Sequence, residues 1–299
     1  MTFTLQVPGS TANLGPGFDA LGMALSIYNC LTITTCTEPG IAITVKGEGE
    51  GVLATDDRNL FYQAALHTAK KANKSLPGLK VNMQNNVPIS RGLGSSSTAI
   101  VAGVVAANHL FDSPFSQQDL LNQATELEGH PDNVSPCLLG GLTISTLDGN
   151  NVVYMRVLPP NSLQMVVAIP DFELKTSDAR NVLPKTLSLK DAVFNISRAC
   201  MITAALITGD LQHIQTGVQD RLHQPYRASL IPGFDQVLLA ATKAGALGAA
   251  LSGAGPTVMA LATQNAPQIG QAMINTWSQA GVAARFLVLR MDTEGVVIL

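Results

Sequence analysis

The segment VPISRGLGSSST, residues 87–98, carries the clearest chemical signal in this chain of 299 residues. Gly92 and Gly94 have no Cβ, so the backbone at these positions can approach a ligand closely. The serines at 95–97 supply hydroxyl groups and an N-cap for the apolar helix that the pattern predicts next. Because a helix N-terminus presents unpaired N–H groups and a partial positive charge, phosphate is the ligand that suits this segment.

This loop contains no lysine, and it therefore departs from the common phosphate-binding signatures. The P-loop pattern G-x-x-x-x-G-K-[ST] is absent, and no Gly-Lys dipeptide occurs anywhere in the chain. The dinucleotide fingerprint G-x-G-x-x-G also fails, because serines follow Gly94. A glycine- and serine-rich turn without a ligand is the alternative for the segment taken alone.

Three further polar segments are shaped by glycine or proline. PGSTANLGPGFDALG (8–22) surrounds Asn13 and Asp19, and EGHPDNV (128–134) groups His130, Asp132 and Asn133. LSGAGPTV (251–258) predicts a second glycine turn between apolar strands. Each segment alone suits an ordinary turn, but together with the phosphate loop they favour a ligand site.

Composition excludes several classes of protein. Hydrophobic residues make up 46% of the chain, charged residues 13%, and the formal net charge is −3. Disorder and a broad nucleic-acid surface are therefore not expected. The four cysteines lack CxxC spacing and predict a reduced chain. Without a basic-then-apolar leader or a run of about 18 apolar residues, we expect a cytoplasmic protein with no membrane span.

Residue patterns predict an α+β chain rather than regular βαβ alternation. Alternation predicts strands in 2–7, 29–36, 41–47 and 78–84, and helical spacing predicts helices in 59–71, 96–110 and 116–128. Asp57 is the candidate N-cap of the first of these helices. The turn-like run LPPNS (158–162) marks a boundary that divides the chain into domains 1–160 and 161–299. The second part predicts a strand at 164–170, helices at 188–209 and 234–244, and strands within 248–262 and 285–291.

The four motifs, taken in order, resemble those of the GHMP small-molecule kinases. Within that family they look most like the homoserine kinase branch, and the resemblance spans nearly the whole chain. Other branches usually carry lysine or arginine soon after the first proline, whereas Ser10 stands here. Gly9 is a small departure from the usual PASSANLGPGFD. The resemblance implies a two-domain fold with an N-terminal ribosomal-protein-S5-like domain, a C-terminal ferredoxin-like α/β sandwich and an active site in the cleft between them.

An ATP site on the phosphate loop is the first functional implication of this resemblance. Its cofactor-binding positions are Pro88, Ile89, Ser90, Arg91, Gly92, Leu93, Gly94, Ser95, Ser96, Ser97 and Thr98. Mg²⁺ would be held by Ser96 and Glu126, with Glu128 as the alternative carboxylate. A metal ion and a helix terminus would then neutralise the phosphates in place of a lysine.

The implied substrate is L-homoserine, which would be converted to O-phospho-L-homoserine in threonine biosynthesis. Asp19 would bind the substrate ammonium, and Arg180 and Arg227 its carboxylate, because arginine offers a planar pair of donors. The remaining substrate-binding positions are Asn13, His130, Asn133, Thr176, Ser252 and Gly253. Inhibition by threonine is plausible on this basis, because both amino acids share the same backbone groups.

The implied catalytic positions are Asn133, Glu126 and Ser96. Other branches tend to place an aspartate where Asn133 stands, and an amide cannot accept a proton as a base. The resemblance therefore implies direct in-line attack on the γ-phosphorus, driven by positioning and electrostatics. Asp132 is the alternative base.

Three other functions remain open on the sequence. A kinase of the same fold could act on another small alcohol, such as shikimate or a mevalonate-type substrate. A non-catalytic ligand sensor could share the fold, since fold does not determine activity. RNA binding is disfavoured by the acidic balance and by the single tryptophan and four tyrosines. A homodimer is the default expectation for a soluble metabolic enzyme.

Overall fold

The computed structural model describes all 299 residues and has two β-sheets with helices packed against each. The fold class is therefore α+β, as the sequence predicts. The strands of the larger sheet are β1 Thr2–Ala12, β2 Leu21–Cys36, β3 Ile41–Gly47, β4 Gly78–Asn85, β5 Leu142–Asp148, β6 Asn151–Val157 and β11 Val297–Ile298. Their order is β11-β1-β2-β4-β3, with β5 paired to β2 and β6 to β5.

Four helices accompany this sheet: α1 Leu60–Lys71, α2 Ser95–Leu110, α3 Gln117–Glu128 and α4 Pro131–Leu139. Eleven of the 16 residues of α2 are buried, which is typical of a helix that is apolar on all sides. Helix α1 packs closely on α2 at Gly103, where a Cβ would lie 2.3 Å from the carbonyl oxygen of Phe61. Helix α2 is thereby fixed in the core, and its N-terminus follows directly after Gly94 of the phosphate loop.

Polar side chains cap the N-termini of α1 and α3, and the cap of α1 differs from the predicted residue. The N-cap of α1 is Asn59, whose side chain accepts from the Phe61 amide, so the prediction of Asp57 is wrong. Asp57 lies too far upstream to reach the first turn. Ser116 and Asp119 form a reciprocal capping box at α3. Gly129 ends α3 in the left-handed conformation, and Pro131 starts α4 two residues later.

The smaller sheet is antiparallel with the order β10-β7-β9-β8. Its strands are β7 Gln164–Pro170, β8 Gly248–Leu251, β9 Val258–Ala262 and β10 Ala284–Leu289. The helices of this half are α5 Thr176–Asn181, α6 Leu189–Thr208, α7 Ile214–Gly217, α8 Gln224–Arg227, α9 Phe234–Lys243 and α10 Ala266–Gln279. Short 3₁₀ turns occupy Leu211–His213 and Ala228–Leu230. The sequence predictions missed the helices α4, α5, α7, α8 and α10, the strand β11 and the β5–β6 hairpin, together with the end of β1 and the first half of β2.

A shared apolar core joins the two sheets. It combines Met23 and Leu25 of β2 with Met165, Val167 and Leu261 of β7 and β9. The chain also returns to the first sheet after β10, where Met291 forms a bridge with Leu25 and β11 pairs with β1. We propose the division into 1–160 and 161–299 as a description of the chain order, with β11 crossing back over it.

Helix α6 is long and apolar enough to cross a membrane by length and composition alone, a test that helices of soluble proteins also pass. Most of its surface is not covered by the rest of the chain. Leu189, Val193, Ile196, Cys200 and Ile207 are exposed along this helix. At spacings of three, four and seven residues they form one apolar stripe.

We predict that Gly22→Ala destabilises the protein, because a Cβ there would lie 1.7 Å from the Asp132 carbonyl oxygen. Relief of this clash requires α4 to move from β2, at a cost of about 3 kcal/mol in the free energy of unfolding. Urea unfolding measures this change. Gly51→Ala is the control, since its Cβ meets nothing within 4 Å and only its positive φ costs about 1–2 kcal/mol. Equal losses in both variants would contradict the prediction.

Candidate active site

A cavity of about 380 Å³ lies between the two halves and brings all four sequence motifs together. The first motif contributes Asn13 and Asp19, and the third contributes His130, Asp132 and Asn133. The remaining lining residues that the sequence predicted are Ile89, Ser90, Arg91, Gly92, Gly94, Ser95, Ser96, Thr98, Glu128, Thr176, Arg180, Arg227 and Gly253.

The phosphate loop is held by close backbone contacts on two sides. Gly94 adopts the left-handed conformation immediately before α2, and its missing Cβ leaves room for the Ser10 hydroxyl, which would otherwise lie 2.2 Å away. A Cβ at Gly92 would lie 2.2 Å from the Ser252 carbonyl oxygen. The Ser10 amide donates to the Leu93 carbonyl at 3.0 Å. Both glycines are thus needed by neighbouring protein segments as well as by any ligand.

Three of the predicted cofactor-binding residues on this loop have side chains that do not face the cavity. Pro88 and Leu93 are buried, with Leu93 in the core shared by the two sheets. Ser97 is buried too, and its hydroxyl donates to Glu128 at 2.9 Å. None of the three side chains lines the cavity, so their predicted phosphate contacts, through backbone amides, stay a prediction.

The carboxylate beside the phosphate loop is Glu128, and the prediction of Glu126 is wrong. The Ser96 hydroxyl donates to Glu128 Oε1 at 2.7 Å. Glu126 instead pairs with Lys71 Nζ at 3.0 Å, and the hydrogen bond from Lys71 lowers the pKa of Glu126. Residues two apart on a helix point about 200° apart, so only one of these two can face the cavity.

Two arginines and one aspartate form one end of the cavity. Arg180 donates to both oxygens of Asp19, at 2.8 and 3.1 Å. Arg227 is almost fully buried; burial and the neighbouring charge of Arg180 lower its pKa to about 10. The Phe18 ring lies 5.5 Å from the Arg180 guanidinium and 5.3 Å from that of Arg227. Adjacent cations of this kind suit an anionic group, and Asp19 beside them suits a cation.

The third motif places His130 against a buried carboxylate. His130 Nδ1 lies 2.5 Å from Asp132 Oδ1, and Asp132 is 2% exposed. Burial opposes protonation of His130, yet the hydrogen bond and charge of Asp132, with Glu128 and Asp19 nearby, raise the pKa of His130. Asn133 accepts from the Ser10 hydroxyl at 2.9 Å through Oδ1. Its amide is therefore held in one orientation at the cavity wall.

Asn13 and Ser252, both predicted at the substrate site, also connect loops through hydrogen bonds. Asn13 accepts from the Asp19 amide at 3.1 Å and donates to the Gly253 carbonyl at 2.9 Å, although it lines the cavity. Ser252 is fully buried and donates to the Gly92 carbonyl at 2.6 Å. Its side chain thus faces the phosphate loop instead of the cavity, and the predicted approach of its backbone to the ligand stays a prediction.

The other end of the cavity was not identified by the sequence motifs. It is lined by Leu31, Leu53, Ala54, Met83, Asn59 and Asn85. These residues lie on β2, β4, the N-cap of α1 and the segment before it, where alternating apolar residues indicate only a strand or a core. His223, buried beside Arg227, was also missed. Its position in the segment HQPYR was the only available signal.

Comparison with known proteins agrees with this arrangement. The family model "GHMP kinases N terminal domain" matches residues 59–141, and "GHMP kinases C terminal" matches 202–279. The homoserine kinase of Moorella thermoacetica is 45% identical over 295 residues, covering 99% of both chains. That of Carboxydothermus hydrogenoformans is 45% identical over 97% of this chain and 95% of its own.

Solved structures agree as well. The crystal structure of homoserine kinase from Cytophaga hutchinsonii has a TM-score of 0.91 at 32% identity, covering 100% of this chain and 97% of that one. The L. major mevalonate kinase in complex with R-mevalonate has a TM-score of 0.73 at 18% identity, covering 97% and 95%, and shows the likeness of fold alone. The chain therefore belongs to the GHMP kinase family, and within that family to the homoserine kinases.

Proposed function

We propose that this enzyme transfers the γ-phosphoryl group of ATP to the side-chain hydroxyl of L-homoserine, forming O-phospho-L-homoserine in threonine biosynthesis. The observation that carries the proposal is the pairing of Arg180 and Arg227 with Asp19 at one end of a cavity whose middle is a phosphate loop. A zwitterion needs both signs of charge. A neutral alcohol, or one that is only anionic, has no use for the aspartate.

ATP binding is supported by the loop and by the apolar end of the cavity. The N-terminus of α2 begins at Ser95, directly after Gly94, and favours phosphate there. Leu31, Leu53 and Met83 offer apolar surface for the adenine, with Asn59 and Asn85 as polar partners. The triphosphate would then run from this end toward Asn133.

Mg²⁺ fits the oxygen groups beside the phosphate loop. The Ser96 hydroxyl and the Glu128 carboxylate lie 2.7 Å apart, and hard divalent cations prefer such ligands. When bound there, Mg²⁺ supplies charge stabilisation for the transferring phosphoryl group. Ser96 and Glu128 would hold it, and water would complete its coordination.

Substrate binding would replace the ion pair between Asp19 and Arg180 by two ion pairs with the substrate. Asp19 and Arg180 already pair with each other, each with about one-third of its side chain exposed. The substrate ammonium would contact Asp19, while the carboxylate would contact Arg180 and Arg227. No charge is then left unpaired in the cleft, which lowers the desolvation cost of binding.

The residues around the hydroxyl favour positioning over base catalysis. Asn133 can orient the hydroxyl but cannot take its proton. Asp132, the alternative base, is already engaged by His130 at 2.5 Å. We infer direct in-line attack, with catalysis arising from orientation and electrostatic stabilisation.

The first test measures ADP release with Mg·ATP and a panel of L-homoserine, D-homoserine, L-serine, shikimate and mevalonate. We expect strong turnover with L-homoserine alone. Turnover with another alcohol would leave the phosphate site intact and overturn the assignment of the arginine pair. Adding L-threonine, which has the same ammonium and carboxylate, is expected to raise the KM for L-homoserine without changing kcat.

The assignment of the metal carboxylate is tested by Glu128→Gln with Glu126→Gln as its control. Loss of a ligand charge at Glu128 should weaken Mg²⁺ binding and activity by at least about 10- to 100-fold, the loss typical of groups that only support a metal ligand. Glu126, on the opposite side of α3, should tolerate the same change. Initial rates over a Mg²⁺ titration give both values. A stronger defect in the Glu126 variant would restore the original assignment.

We also propose that the enzyme is a homodimer, supported by the apolar stripe on α6, and that it acts in the cytoplasm, as expected for a biosynthetic enzyme. Val193 and Ile196 are 58% and 63% exposed, which is unusual for neighbouring aliphatic residues on one helix face. A second copy could cover the stripe by antiparallel pairing about a two-fold axis.

Ile196→Glu should convert such a dimer to a monomer, because it places one charge from each copy at the centre of the interface. Sedimentation velocity measures the change in mass. Lys185→Glu is the control, since it alters charge at an exposed position outside the stripe. A wild-type monomer, or a dimer unaffected by Ile196→Glu, would contradict this assignment.

A further inference from the structure

We propose that His223 is a positioning residue that orients the Arg227 guanidinium toward the substrate carboxylate. This inference rests on the proposed function, which gives Arg227 its ligand. His223 directly precedes α8, and it is fully buried. No motif that identifies the phosphate site includes it.

Both ring nitrogens of His223 have partners that determine its protonation state. Nε2 lies 2.7 Å from the Gly15 carbonyl oxygen, which can only accept, so Nε2 carries the proton. Nδ1 lies 3.2 Å from Arg227 Nη1, which can only donate, so Nδ1 is the unprotonated acceptor. The two contacts require the same neutral tautomer. Burial lowers the pKa of His223 against the opposing charge of Asp220, and the charge of Arg227 acts in the same direction as burial.

Arg227 is anchored through three hydrogen bonds to three parts of the chain. Its Nε donates to the Ala179 carbonyl at 3.0 Å, and Nη1 donates to the Gly253 carbonyl at 3.1 Å as well as to His223. These contacts use the Nε proton and both Nη1 protons. The two Nη2 protons have no protein partner, while Arg227 lines the cavity. A carboxylate can therefore be bound by Nη2 without breaking an anchor.

Hydrogen bonds to Asp220 and an aromatic contact with Phe18 hold the segment that carries His223 in place. The Asp220 carboxylate accepts from the amides of Leu222, His223 and Gln224 at 3.0, 2.9 and 2.7 Å, and from Asn195 Nδ2 at 2.7 Å. The Phe18 ring packs on the imidazole with centroids 5.2 Å apart.

The first motif is connected to Arg227 through this imidazole. Gly15 approaches so closely that a Cβ there would lie 2.3 Å from the Val218 carbonyl oxygen. The His223 imidazole therefore lies between the Gly15 carbonyl, which accepts from Nε2, and Arg227, which donates to Nδ1. The segment that carries Asp19, the proposed partner of the substrate ammonium, thereby also orients Arg227, a proposed partner of the substrate carboxylate.

Two substitutions separate the two ring contacts. The amide oxygen of asparagine lies where Nδ1 lies, so His223→Asn keeps an acceptor for Arg227 and loses the donor to Gly15. The amide nitrogen of glutamine can reach the place of Nε2, so His223→Gln keeps the donor to Gly15 and loses the acceptor. Each variant removes one hydrogen bond, which makes them matched for general destabilisation.

We expect His223→Gln to raise the KM for L-homoserine by about tenfold or more, since a hydrogen bond to a charged group is lost. The KM for ATP should stay unchanged. His223→Asn should give a KM for L-homoserine clearly below that of the glutamine variant. Urea unfolding of both variants verifies that they fold and are destabilised alike.

A double-mutant cycle with Arg227→Ala completes the test. If His223 acts through Arg227, His223→Gln adds no further change in KM when Arg227 is already alanine. Equal KM values in the glutamine and asparagine variants, or additive effects in the cycle, would overturn the inference and leave His223 a packing residue. Failure of the proposed function is distinguishable, because wild-type enzyme would then not turn over L-homoserine at all.

Discussion

The contact on which the whole site depends is the approach of the phosphate loop to the glycine turn of the second half. The Ser252 hydroxyl donates to the Gly92 carbonyl at 2.6 Å, and the Ser252 carbonyl occupies the space that a Cβ at Gly92 would need. The Thr257 amide also donates to the Arg91 carbonyl. Because backbone meets backbone here, the two halves have a defined spacing. The cleft, and the distance from phosphate loop to arginine pair, follow from that spacing.

Hydrogen bonds from the first motif extend this connection to the substrate end. Asn13 bonds to both the Asp19 amide and the Gly253 carbonyl, and Gly253 accepts from Arg227. The group proposed for the ammonium and a group proposed for the carboxylate are thus joined through one buried amide. A buried network of this kind is rigid when every member has its partner. The site is preorganised by the same bonds that hold the halves together.

Charged residues are few in this chain, and several of them lie together in the proposed ligand site. Only 13% of the residues are charged, yet Asp19, Asp132, Arg180 and Arg227 all line one cavity, together with His130. Each of the four has a polar or charged partner in the absence of ligand. These partners offset the cost of placing charged groups in a partly buried cleft, where an unpaired charge would be costly. A zwitterionic ligand can take over these partners without leaving a charge exposed to the low-dielectric core.

The sequence by itself determined the fold class, most strand positions and half of the α-helices, because apolar periodicity is a local property of the chain. Its four motifs identified the family by their resemblance. It could not distinguish Glu126 from Glu128, since that choice depends on how α3 is rotated against the phosphate loop. It placed Ser252 at the site only through its backbone, because a glycine turn lets the chain approach a ligand, and it left the side chain unassigned. Only the tertiary structure revealed that its hydroxyl faces Gly92. His223 lay outside every motif for the same reason: its role depends on Gly15 and Arg227, one of them 208 residues away, and such contacts exist only after the chain has folded.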